Sequence, residues 1–227
     1  MRADKKLWIF GDSFSTPFNK FQKIYCPTVI EYLEDKGTMP MCYGEILSTK
    51  LGLILKNEAT SGASNQTIFH SFISHMDSIQ NEDIVIIGWS HVQRFRVSEP
   101  SNRFCDVKIS DRVPEYLKGV FELDALNQFI INRDTNDIFF TEIVDYIKVI
   151  NRLLPNKKVY NWTWAEPVLT KDRIYEKLYY NSLSIPYKPY TTVSKETNNK
   201  HNDIHYGEIG HQELSKDLLN IIIKKFI

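Results

Sequence analysis

Leu7-Trp8-Ile9-Phe10-Gly11-Asp12-Ser13-Phe14-Ser15 decides how this chain is read. Four apolar residues with no polar alternation run into a glycine, an acid and a serine. A short unbroken apolar run suits a central parallel strand buried on both faces. Gly11 lets the chain turn at the strand end. Ser13 then stands at the carboxyl edge of the sheet, where open α/β sheets bind ligands. A serine hydroxyl is a weak nucleophile unless a base lies within hydrogen-bond reach and donors await the oxyanion. The rest of the chain is therefore searched for a histidine, an acid and spare N–H groups.

Working outward, residues 16–40 read as loop with a short helix, and Met41–Lys50 as a helix ended by Gly52. Leu53-Ile54-Leu55 opens a second strand to about Ala59. Thr60-Ser61-Gly62-Ala63-Ser64-Asn65 follows, with Ser64 as N-cap of a helix reaching about Gln80. N–H groups at such a strand-to-helix turn make an anion site, which Gly62 lets a ligand approach closely. Ile84-Val85-Ile86-Ile87 is the third strand, followed by Gly88-Trp89-Ser90-His91. Residues 95–136 read as an insertion, with a strand at Phe104–Ile109 and a helix near Glu115–Ile131. Ile138–Leu154 is an amphipathic helix stopped by Pro155, and Val159–Trp164 a fourth strand. A tyrosine-rich insertion at 168–200 precedes Asp203-Ile204-His205 and a last helix over Gly210–Lys225. Strands alternating with helical crossovers predict an α/β protein with a doubly wound parallel sheet, built as one domain over residues 1–227.

Bulk properties exclude other classes. Lys plus Arg and Asp plus Glu both number 28, for zero formal charge, so neither a nucleic-acid nor a membrane-surface footprint is expected. Cys26, Cys42 and Cys105 have no paired spacing and read as free thiols of a cytoplasmic protein. The apolar run after Lys6 is too short for a signal-peptide core. His70 and His75 do not share a helix face. His201 and His205 have one carboxylate between them, so a metal site ranks well below a triad. No metal or cofactor is expected.

With Gly11-Asp12-Ser13, Gly62, Gly88-Trp89-Ser90 and Asp203-Ile204-His205 in this order, the chain resembles the SGNH (GDSL-type) hydrolase superfamily. That resemblance implies a three-layer α/β/α sandwich with a central parallel sheet, the flavodoxin-like SGNH fold. It implies Ser13 as nucleophile and His205 as base, with a glycine, Gly210, five residues on. It also implies the N–H groups of Ser13 and Gly62 as oxyanion donors and Asp12 as structural. Two departures stand out. The family acid lies three residues before the histidine, where this chain has Asn202, so the acid role passes to Asp203. The third block lacks the family's asparagine, so the third donor is expected from Ser90 or Asn65. Trp89, beyond the third strand, is expected to stack on a sugar. The expected activity is hydrolysis of a short acyl ester, an O-acetyl group on a glycan or small molecule. The alternatives are a degenerate glycan- or protein-binding module, or an acyltransferase on the same triad.

Overall fold

A computed structural model describes residues 5–18, 27–92, 94–98, 104–108, 138–155, 158–167, 173–197 and 205–224. Strands β1 (Lys6–Phe10), β2 (Ile54–Asn57), β3 (Ile84–Trp89) and β6 (Lys158–Thr163) form one sheet in the order β2-β1-β3-β6. All three pairings are parallel, with Trp8 beside Val85 and Val85 beside Val159. β3 is buried along its whole length, as an unbroken apolar run at the centre of a parallel sheet should be.

Alternation divides the core in two. Leu7 and Ile9 face α2 (Tyr43–Leu51) and α7 (Glu208–Lys224), packing with Tyr43, Leu47, Leu214 and Leu218. Trp8 and Phe10 face α3 (Asn65–His75) and α4 (Ile138–Leu153), packing with Ile68, Phe72, Ile143 and Ile147. The result is three layers, helices on both faces of a parallel sheet. Local signals act where expected. Gly52 closes α2 in the left-handed region at φ 64°, and Ser64 caps α3 by accepting from the Thr67 N–H.

The remaining elements are additions to this frame. α1 (Pro27–Lys36) lies between β1 and α2. β4 (Arg94–Ser98) and β5 (Phe104–Lys108) form an antiparallel hairpin. It is tied to α3 where the Arg96 N–H donates to Gln66 Oε1 at 3.1 Å. The strand expected at Phe104–Ile109 is therefore present, whereas the helix expected near Glu115–Ile131 lies outside the described residues. In the second insertion, α5 (Ile174–Ser182) and α6 (Val193–Thr197) are helices that the tyrosine-rich sequence concealed.

His211 on α7 illustrates what this packing costs at low pH. It is buried, and its Nδ1 accepts the Tyr43 N–H at 3.3 Å. Burial, with a smaller contribution from the charge of His205, depresses its pKa from 6.5 to about 3. The folded state thus holds the neutral imidazole, and stability present above pH 6.5 is lost as pH falls toward 3. Between pH 7 and pH 5 the loss is expected to be roughly 2 kcal/mol. Urea midpoints of the wild type and His211→Gln at both values check this. A wild-type drop equal to that of the variant would contradict it.

Candidate active site

The site is assembled where β1, β3 and β6 end. After β1 the chain turns on Asp12, whose backbone carbonyl accepts from the N–H groups of Ser15 and Thr16 and from the Thr16 hydroxyl. Its carboxylate Oδ1 accepts from the Phe14 N–H at 3.1 Å. Gly11 and Gly88 are required here by close approach: a Cβ on either would run into the Ser15 side chain, which is fully buried between the two strand ends. Tyr43 donates its hydroxyl to Ser15 Oγ at 3.0 Å, fixing that residue from the α2 side.

This turn presents Ser13 at its apex, 9% exposed. His205 Nε2 lies 2.8 Å from Ser13 Oγ. The histidine is carried by the segment entering α7. The Val193 N–H donates to its carbonyl at 2.7 Å, and Tyr206 bridges to Thr192. Gly210 permits this crossing, because a Cβ there would strike the Thr191 carbonyl. The Glu196 carboxylate accepts from the N–H groups of Ile209 and Gly210, holding the start of the helix.

Opposite the histidine, Gly62 stands at φ 82° in the turn after β2, with the Thr60 N–H donating to the Gly11 carbonyl at 3.0 Å. The backbone N–H groups of Ser13 and Gly62 make no hydrogen bond among the described residues. A serine hydroxyl and an imidazole thus meet at one sheet edge, with the Ser13 and Gly62 N–H groups unbonded among the described residues.

The sequence matches no protein-family model and no curated protein. Among solved structures the architecture is similar to that of YxiM from Bacillus subtilis, at TM-score 0.50 and 9% identity over 99% of this chain. The chain spans 58% of the length of that protein. The acetyl xylan esterase Est2A from Butyrivibrio proteoclasticus gives TM-score 0.49 and 10% identity over 100% of this chain and 65% of that one. The psychrotrophic esterase EstA from Pseudoalteromonas sp. gives 0.44 and 13% over 98% and 99%. The chain shares with YxiM a three-layer α/β/α fold around a parallel sheet.

Within this fold several expected residues sit elsewhere. Ser90 is buried, and its hydroxyl donates to Asp12 Oδ2 at 2.7 Å. The Asn65 amide donates to the carbonyls of Ser90 and His91, and its Oδ1 accepts from the Ser90 N–H at 2.8 Å. Both groups spend their hydrogens on one another's strand and turn, so neither offers the third oxyanion donor expected of it. Trp89 faces the core and not the site: it is fully buried against α4, and its Nε1 donates to Asn161 Oδ1 at 3.0 Å. It cannot stack on a sugar. Asp203 lies outside the described residues.

Arg94 and Phe14, not singled out from the sequence, and Trp164, to which Trp89 was preferred, stand around the Ser13 turn instead. Arg94 Nη1 contacts Asp12 Oδ2 at 3.2 Å, Ser90 Oγ at 3.0 Å and the Ala63 carbonyl at 3.4 Å. Trp164 donates Nε1 to Asp12 Oδ2 at 2.8 Å. Phe14 is sandwiched, with Trp164 stacked at 4.3 Å on one side and the His205 ring stacked at 4.8 Å. No group of three or more metal-ligating side chains occurs among the described residues, and no described helix is long and apolar enough to cross a membrane.

Proposed function

We propose that the protein hydrolyses carboxylic esters, with Ser13 as nucleophile and His205 as general base. The 2.8 Å contact between Ser13 Oγ and His205 Nε2, beside two unspent backbone N–H groups, carries this reading. The Ser13 proton passes to Nε2 as Oγ bonds to the ester carbonyl carbon. The carbonyl oxygen becomes an oxyanion held by the N–H groups of Ser13 and Gly62, supported by the Arg94 charge. On collapse the carbon–alkoxy bond breaks and Nε2 returns the proton to the departing alcohol. Water then releases the acyl group by the same steps in reverse roles. Asp203 is the proposed partner of the imidazole in its charged form.

The acyl group is read as short, acetyl being the first choice. A carbohydrate alcohol was expected from Trp89, and that support disappears with Trp89 in the core. A glycan remains a second reading because Trp164 and tyrosines border the site. A fluorophosphonate probe and two p-nitrophenyl esters, acetate and octanoate, test the proposal. Adduct at Ser13 and faster turnover of acetate are the expected results. No adduct and no hydrolysis of either ester would overturn it and leave a binding module.

The stacked rings give a separate prediction. The Phe14 face, stacked on the His205 ring at 4.8 Å, fixes the tilt of the imidazole. Phe14→Leu is expected to lower kcat for p-nitrophenyl acetate by ~10–100-fold with little change in KM. Phe14→Tyr should retain most of the rate. Unchanged kcat in a folded Phe14→Leu protein would remove the role.

A further inference from the structure

Beside the Ser13–His205 pair lies a cavity of about 420 Å³. Phe14, Trp164, Tyr187, Tyr190 and Tyr206 line it together with His91, and Glu166 is the one carboxylate, with no lysine or arginine among the described lining residues. Glu166 is exposed, and its carboxylate makes no ion pair among the described residues. Burial raises the pKa of Tyr190 and Tyr206. Burial and the nearby Glu166 charge raise that of Tyr187, so all three phenols stay neutral. Neutral aromatic walls with one uncompensated carboxylate are chemistry suited to a cation, because ring faces and carboxylate both attract positive charge.

The protein already uses this combination once on the same wall. The Lys188 ammonium lies 5.0 Å from the centroid of the Tyr190 ring and 2.9 Å from Asp217 Oδ2. Lys188 does not line the cavity, which repeats the arrangement of ring and carboxylate without supplying the cation.

The position of the cavity assigns it to one side of the ester. His205 must return its proton to the departing alcohol, so the alcohol lies toward the imidazole. Phe14, stacked on that imidazole, and Tyr206, next in the chain, both line the cavity. The acyl oxygen lies on the other side, toward Gly62. We propose that this cavity binds a cationic group, a quaternary or primary ammonium, on the alcohol portion of the ester. This rests on the reading of Ser13 and His205 as an ester-hydrolysing pair.

Acetylcholine and 3,3-dimethylbutyl acetate have the same acyl group and nearly the same shape, and differ in the charge. The wild type is expected to favour acetylcholine by tenfold or more in kcat/KM, expressed mainly in KM. Glu166→Gln and Tyr187→Leu should each bring the ratio toward one, with the neutral ester as internal reference. Tetramethylammonium supplies a readout that needs no turnover. Trp8, Trp89 and Trp162 are buried and Trp164 is half-buried, so saturable quenching of fluorescence by this ion, lost in Glu166→Gln, reports the cavity. Equal rates on the two esters, faster turnover of the neutral one, or a higher kcat/KM on an acetylated neutral xylo-oligosaccharide would overturn the subsite. If Ser13 also takes up a fluorophosphonate, the esterase reading survives that result. If Ser13 is not labelled and neither ester is cut, the esterase reading fails, and the quenching decides the cavity alone. Saturable, Glu166-dependent quenching then upholds cation binding, and its absence overturns it.

Discussion

Ser13→Ala is expected to lower kcat for p-nitrophenyl acetate by about 10⁴-fold or more and to abolish the fluorophosphonate adduct. The alkoxide has no substitute at this position. Ser15 is fully buried, and its Oγ accepts the Tyr43 hydroxyl, while the Ser90 hydroxyl is held by Asp12. The fold should not suffer. The turn is held by Asp12 and by backbone bonds, and the Ser13 hydroxyl contacts His205 at the surface of the cleft. The thermal midpoint should therefore stay within a few degrees of the wild type, which separates loss of chemistry from loss of structure. Residual turnover above a few per cent in a stable Ser13→Ala protein would mean that another group attacks the ester.

Asp12→Ala is expected to have the largest effect on stability, on the order of 3–5 kcal/mol. The carboxylate is 1% exposed and accepts from the Phe14 N–H, the Ser90 hydroxyl, the Trp164 indole and the Arg94 guanidinium. Alanine leaves these donors without their acceptor, and the guanidinium without its counter-charge. Loss of a partner from a buried charged pair is far more damaging than its net worth, because the remaining charge is still desolvated. Asp12→Asn should fall between, since its amide oxygen can accept one bond while its NH₂ faces other donors. Denaturant midpoints measure the series. A double-mutant cycle with Arg94→Met should show coupling of more than about 1 kcal/mol. A loss below about 1 kcal/mol in Asp12→Ala would show that the network has little energetic weight. Activity should fall as well, because Trp164 and the Ser13 turn are both held by this group.

The two central strands, β1 and β3, were legible because they are apolar runs that lead into glycine, and burial on two faces leaves little choice of residue. The closeness of Ser13 and His205 was legible because the turn after β1 and the segment entering α7 meet at one edge of the sheet. Trp89 was misplaced by strand length. β3 continues two residues beyond Ile87, so Trp89 shares parity with Val85 and Ile87 and must face the same core. Trp164 lies just past the end of β6 and escapes that parity, which is why it and not Trp89 reaches the site. Ser90 and Asn65 were expected to be donors because their types allow it. Their mutual bonds depend on how α3 docks on β3, which local sequence does not encode. Arg94 escaped notice for a similar reason: its role comes from a hairpin folding back on the sheet edge, 82 residues from Asp12.

Asp12, Ser13 and Phe14 are consecutive, yet each grips a distant part of the chain. Asp12 reaches partners 78 and 152 residues away, and Ser13 one 192 residues away. The site is thus among the most non-local features of the molecule, and contacts of such long range are entropically costly to form early. During synthesis the segment bearing Ser13 emerges before the one bearing His205, 192 residues further along, so the contact between them must wait for that later segment. Reactivity at Ser13 is therefore expected to serve as a readout of folding, withheld until these two distant segments have met.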